Sequence, residues 1–75
     1  MEILEQLSKG KKARICTISG SAHFKSRAVS VGLIPGNTVE VMLNQKKRPL
    51  LLYCRNTVLA LDRDDCKQIQ VEVTA

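Results

Sequence analysis

Apolar residues change their spacing along this chain in step with its glycines and prolines, and each change marks an element. Ile3, Leu4 and Leu7 fall at i, i+1 and i+4, which predicts a short amphipathic helical turn ending near Ser8. Glu2 and Glu5 sit favourably at its positive end, and Gly10 stops it. From Lys12 the period is two: Ala13 and Ile15 point one way, Lys12, Arg14 and Cys16 the other. Ile18 breaks the alternation, so a bulge near Thr17 is expected to return it to the core. Ala22 to Val31 contains neither Gly nor Pro, and Phe24, Ala28 and Val31 recur at i, i+4 and i+7, which predicts a short helix buried on that face. Gly32 ends it, because glycine adopts the left-handed conformation at low steric cost.

Pro35-Gly36 predicts a type II turn, in which Pro presets the first central position and Gly accepts the positive φ of the second. Val39, Val41 and Leu43 then alternate with Thr38, Glu40, Met42 and Asn44 as a half-buried strand. After the loop Asn44 to Pro49, Leu50 to Cys54 and Thr57 to Leu61 read as a hairpin about a tight turn at Arg55-Asn56, with Asn56 suited to positive φ. Asp62 is placed to cap a single turn through Asp64, Asp65 and Cys66 with its carboxylate. Ile69, Val71 and Val73 alternate with Gln68, Gln70, Glu72 and Thr74 in the last strand. Strands this short are most economically closed on themselves, which removes exposed edges. The expected fold is mainly β: a small, partly open, SH3-like β-barrel of about five strands with a short N-terminal helix and a helix inserted after the first strand.

No linker, repeat or low-complexity stretch divides residues 1–75, so a single domain is expected. With 75 residues it buries only about two thirds of its unfolded surface. One Phe, one Tyr and no Trp leave the core to Ile, Leu, Val and Ala. The opening residues lack the basic start and apolar run of a secretory signal, and no window approaches the roughly 20 apolar residues of a membrane span. A cytoplasmic location is expected. Cys16, Cys54 and Cys66 are odd in number and form no C-x-x-C pair, so reduced thiols that pack as small hydrophobes are expected, with neither disulfides nor a zinc site.

Catalysis needs a nucleophile with a base, a carboxylate pair or a metal cluster. The acidic group Asp62, Asp64 and Asp65 lies on one short turn, where the side chains splay toward solvent, and His23 stands alone at a helix start. No phosphate-cradling or zinc-protease motif occurs. The expectation is no enzyme, no catalytic residues, no cofactor and no bound metal.

Charge is more informative. The chain carries 12 Lys and Arg against 7 Asp and Glu, but from Lys9 to Arg55 the only acid is Glu40, and the remaining acids lie toward the two ends. The cationic field centres on Lys9 to Arg14, on Lys25 and Arg27 of the helix and on the like-charged run Lys46-Lys47-Arg48 at an exposed loop tip. It implies an anionic partner: nucleic acid, phospholipid headgroups or an acidic protein surface, with Arg27 and the loop run as candidate contacts. Small barrels that bind single-stranded nucleic acid usually add aromatic platforms to a basic groove. Only Phe24 and Tyr53 are aromatic, and Phe24 reads as the core anchor of its helix, so a nucleic-acid-binding module is the alternative and not the leading reading.

The landmarks Leu4-x-x-Leu7-x-x-Gly10, Ala13-x-Ile15-x-x-Ile18, Arg27-Ala28-x-x-Val31-Gly32-Leu33-x-Pro35-Gly36, Val39-x-Val41, Pro49-Leu50, Leu59-Ala60-Leu61 and Ile69-x-Val71 together resemble the FeoA family. The likeness spans nearly the whole chain, and the run Arg27 to Gly36 is its most specific part. Val31, Asn56 and Cys66 depart from commoner Leu or Met, Gly and Ala, all with compatible size. The resemblance implies an SH3-like barrel and a non-enzymatic accessory of bacterial ferrous iron uptake. Its implied partner is the cytoplasmic part of FeoB, a membrane permease with a GTPase domain, which would bring the protein to the inner membrane. The same pattern forms the C-terminal domain of DtxR-type repressors, so a detached repressor domain is a further alternative. The resemblance supplies no catalytic or metal residue, and Gly10, Gly32, Pro35 and Gly36 are read as structural.

Overall fold

The computed structural model describes residues 1–75, which form one antiparallel sheet of six strands. These are β1 (Glu2–Ile3), β2 (Lys12–Ile18), β3 (Thr38–Leu43), β4 (Leu50–Cys54), β5 (Thr57–Leu61) and β6 (Ile69–Val73), in the spatial order β1-β6-β2-β3-β4-β5. A 3-10 turn (Leu4–Gln6) follows β1, helix α1 (Ala22–Ser30) follows β2, and the single-turn helix α2 (Arg63–Cys66) follows β5. The extents of 28 × 26 × 24 Å are nearly equal, so the sheet curls about its core. Its end strands β1 and β5 do not pair with each other, which leaves the barrel partly open.

Two-residue alternation supplies the core. Ala13 and Ile15, Val39 and Val41, Leu50 and Leu52, and Ile69 and Val71 turn to one side of the sheet and are buried. Leu4, Phe24, Ala28 and Leu33 close over them. Full burial of a side chain such as Leu52 contributes roughly 2 kcal/mol. The bulge expected near Thr17 is present: pairing shifts from Ile15 opposite Val71 to Thr17 opposite Gln70, leaving Cys16 as the extra residue and Ile18 against the core. A second bulge, unheralded by any break in the pattern, lies at Met42, between Val41 opposite Leu52 and Leu43 opposite Leu51.

Helix α1 starts at Ser21, whose hydroxyl accepts the Phe24 N–H at 3.1 Å. It ends one residue earlier than expected, and Val31 is 47% exposed where the helical period put it in the core. The C-terminus explains this. Gly32 has φ +90°, its N–H donates to Val29 O at 3.1 Å, and the Leu33 N–H donates to Ala28 O at 2.8 Å. These are the two bonds of a Schellman motif, which reverses the chain and folds the residue after the glycine under the last turn. Leu33 therefore fills the place expected of Val31.

Two further expectations change. The N-terminal residues do not form an α-helical turn: Glu2 and Ile3 pair with Val71 and Gln70 of β6, and only Leu4–Gln6 coil, as a 3-10 turn. Burial of Leu4 and Leu7 satisfies the same apolar spacing without helix. Asp62 occupies the N-cap position of α2, but its carboxylate accepts no capping hydrogen bond.

The expected turns stand. The Asn37 N–H donates to Ile34 O at 3.1 Å across Pro35-Gly36, with Gly36 at φ +96°. Arg55 and Asn56 both take positive φ, 53° and 63°, the two left-handed residues a two-residue hairpin of matching twist requires.

Candidate docking surface

Arg27 and the run Lys46-Lys47-Arg48 lie on different parts of the surface, with helix α2 between them. On one side of α2, Arg27 reaches from α1 to Asp65 at 3.2 Å and lies over the Phe24 ring, 5.9 Å from its centroid. On the other, Lys47 and Arg48 share an open polar groove with Asp62, Asp64 and Asp65. Acids remote in sequence thus compensate part of the cationic centre. Arg14 pairs with Glu72 across β2 and β6, and Lys67 with Asp64.

The side chain that organises this end is Arg63, which nothing in the sequence pattern singled out. Its guanidinium donates to Glu5 Oε2 at 2.9 Å, to Gln45 O at 2.6 Å, to Arg48 O at 3.2 Å and to the Asn44 side-chain oxygen. Asn44 in turn donates from Nδ2 to Leu7 O at 2.7 Å and Glu5 O at 3.0 Å. One fork of five N–H groups therefore ties the N-terminal turn, α2 and the β3–β4 loop together. The side chains of Lys46, Lys47 and Arg48 stay outside this network, exposed and in no ion pair. Lys47 takes φ 63°.

A groove of about 230 Å³ runs between α1 and β5. Phe24, Ala28, Val31, Leu33, Leu59 and Leu61 line it, with Arg27, Asp62 and Asp65 at its rim. Strand β5, Thr-Val-Leu-Ala-Leu, pairs on one side only, with β4. It carries no charge and no proline, the usual devices that keep an edge from accepting another strand. Val58 and Val29 stand 56% and 61% exposed near this side of the molecule.

Nothing here assembles a reactive centre. No three His, Cys, Asp or Glu side chains converge to hold a metal ion. Burial pushes the Cys66 thiol up to about 12, with Arg63 pulling the other way, and burial likewise raises Cys54. Both thiols stay protonated at neutral pH, and they donate weakly to Leu61 O and Gly32 O. His23 is exposed near the start of α1.

The sequence matches the FeoA domain over residues 3–73. The chain belongs to the FeoA family. A crystal structure of an FeoA iron uptake regulatory protein superposes with a TM-score of 0.93 at 22% identity, covering 97% of each chain. FeoA of Stenotrophomonas maltophilia, crystallised with zinc and described as a prokaryotic SH3 domain protein, gives 0.82 at 19% identity over 96% of this chain and 91% of that one. The fold also occurs in IdeR of T. acidophilum, with a TM-score of 0.87 at 20% identity, where 97% of this chain covers 34% of the longer one. No curated protein sequence matches. The SH3-like reading of the strands is therefore correct, and FeoA membership points to a role in ferrous iron transport. FeoA proteins are accessory transport factors and do not form an enzyme family.

The FeoA landmarks fall where chain direction changes. Gly10, Gly32 and Gly36 all have φ near +90°, and Pro35 sits in the turn before β3. A side chain at position 32 would also collide with the Arg55 stem, whose Cδ would lie 2.7 Å from its Cβ.

Proposed function

We propose that this FeoA protein is a cytoplasmic, non-enzymatic docking partner of an FeoB-type GTPase permease, binding its cytoplasmic portion and supporting ferrous iron import. The observation that carries the reading is the pairing of an uncharged, unpartnered strand edge with an apolar groove beside it. An extended segment of the permease would add to β5 through main-chain hydrogen bonds and place alternate side chains against Leu59, Leu61 and Val31. Arg27 and Asp65 at the rim favour a segment with complementary polar ends. Apolar contact sets how long the complex lasts, while Lys46, Lys47 and Arg48 raise the rate at which it forms.

Binding of the purified protein to the permease in nanodiscs tests this. Val58→Lys places a charge on the edge strand and should weaken binding at least about tenfold, since an edge lysine blocks strand addition. A permease that does not bind the wild-type protein, together with intact ferrous uptake after gene deletion, would overturn the reading.

A further inference from the structure

A second surface lies away from the groove. Two segments free of acidic residues, Ser8 to Arg14 and Val41 to Leu52, are held side by side. The Gly10 N–H donates to Val41 O at 2.7 Å and the Val41 N–H to Lys11 O at 2.9 Å. Asn44 clamps Leu7 and Glu5, just ahead of the first segment. Lys9 and Lys11 are thereby brought to the same end of the molecule as Lys46, Lys47 and Arg48. All five are exposed and none forms an ion pair.

We propose that this end is a docking site for an anionic lipid bilayer, with Lys9, Lys11, Lys46, Lys47 and Arg48 contacting lipid phosphates. A cluster of four to eight cations is the size that membrane surfaces with negative potential retain. The backbone beneath the cluster is fixed by Arg63, which donates to Gln45 O and Arg48 O, so the charges stay grouped while their long stems remain free to follow mobile headgroups. Met42, on the outer face of β3 and 40% exposed, stands next to Val41 and offers an apolar side chain to the headgroup boundary.

Nearby acids set the orientation. Glu5 is held by Arg63, Asp65 by Arg27 and Asp64 by Lys67, Asp62 shares a groove with Lys47 and Arg48, and Glu40 stands opposite Lys12 on the adjoining strand. The field is therefore strongest toward Lys9, Lys11 and Lys46, and that side faces the lipid. A nucleic acid would meet the same charge, but no ring stands beside the cluster for its bases to stack on: Phe24 is buried, and Tyr53 lies at the hairpin end of β4, opposite Glu40 and away from the β3–β4 loop.

Co-sedimentation with vesicles tests the site without the permease, so its outcome is separable from the docking reading. Vesicles of phosphatidylcholine with about 30% phosphatidylglycerol should bind the protein at about 50 mM salt and release it at about 300 mM. Each neutralised cation should cost roughly fivefold in partitioning, so Lys46→Gln/Lys47→Gln/Arg48→Gln should lose on the order of a hundredfold and Lys9→Gln/Lys11→Gln about 25-fold. Lys25→Gln, on α1, is the control and should change binding less than twofold, with all variants melting as the wild type does. The proposal is overturned by equal binding to pure phosphatidylcholine, by wild-type binding in either multiple variant, or by an equal loss in the control. It is likewise overturned if a DNA or RNA oligonucleotide binds where vesicles do not.

Discussion

Arg63 and the run Lys46-Lys47-Arg48 are neighbours in space, yet they put positive charge to opposite uses. Arg63 is mostly covered, and every acceptor it meets belongs to another segment of the chain: a carboxylate, two carbonyls on the β3–β4 loop that carries the run, and an amide oxygen. The run meets none. Arg63 spends its donors holding the loop still, which leaves the loop's own cations unengaged at its tip. Charge counted along a sequence cannot separate these roles, because the acid that occupies Arg63 is Glu5, 58 positions away.

Removing Arg63 should break that division of labour most severely. Arg63→Ala strands the partly buried Glu5 carboxylate and two loop carbonyls, and with allowance for solvent screening we expect a loss of about 2 to 3 kcal/mol and a Tm lower by about 10 °C or more, read by thermal melting. Arg63→Lys supplies a point charge without the fork and should recover less than half. A Tm unchanged in Arg63→Ala would show that the loop holds itself.

Cys66, at the end of the same helical turn, gives a pH-dependent effect that is absent at neutral pH. The folded thiol keeps its proton up to about 12, whereas in the unfolded chain it ionises near 9. Above pH 9 the unfolded state therefore binds fewer protons, and stability falls as pH rises. The contribution is complete below about pH 9 and declines at about 1.4 kcal/mol per pH unit toward 12. Urea titrations across this range should show a shallower decline in Cys66→Ala, and identical slopes would refute the assignment.

Arg27 is the mildest case. It pairs with Asp65 across the groove rim, but its side chain is 58% exposed, so Arg27→Ala should cost about 0.5 kcal/mol or less. A loss comparable to that at Arg63 would mean that the rim pair also organises the fold.

Most of the strands were legible because burial on one face imposes a period of two, and because Pro35 presets its turn while Gly32, Gly36 and Asn56 tolerate the positive φ that their turns require. Ile18 betrayed its bulge by falling out of step. Met42 betrayed nothing, since Val41 and Leu43 read as an unbroken alternation on either side of it. Strand β1 escaped notice because two residues have no period. Val31 misled because helical spacing continues past the point where Gly32 turns the chain. For the surface, the exposed run was readable and its restraint was not. Arg63 sits among aspartates that looked like a solvated cap, and only the fold brings Glu5, Asn44 and the loop carbonyls to it. The groove between α1 and β5 is equally a product of packing, its two walls lying some 30 positions apart.

Strand β6 carries one more consequence. It comes last of the strands along the chain, yet it sits inside the sheet, between β1 and β2. The meander β3-β4-β5 assembles through neighbours in sequence, whereas β1 has no partner except β6, and β2 pairs only with β3 and β6. Strands β2 to β5 are therefore locally written, while β1 and the second edge of β2 wait for the keystone. During synthesis the N-terminal strand leaves the ribosome early and must remain unpaired until residues 69–73 arrive, so completion of this small domain is timed by its far end.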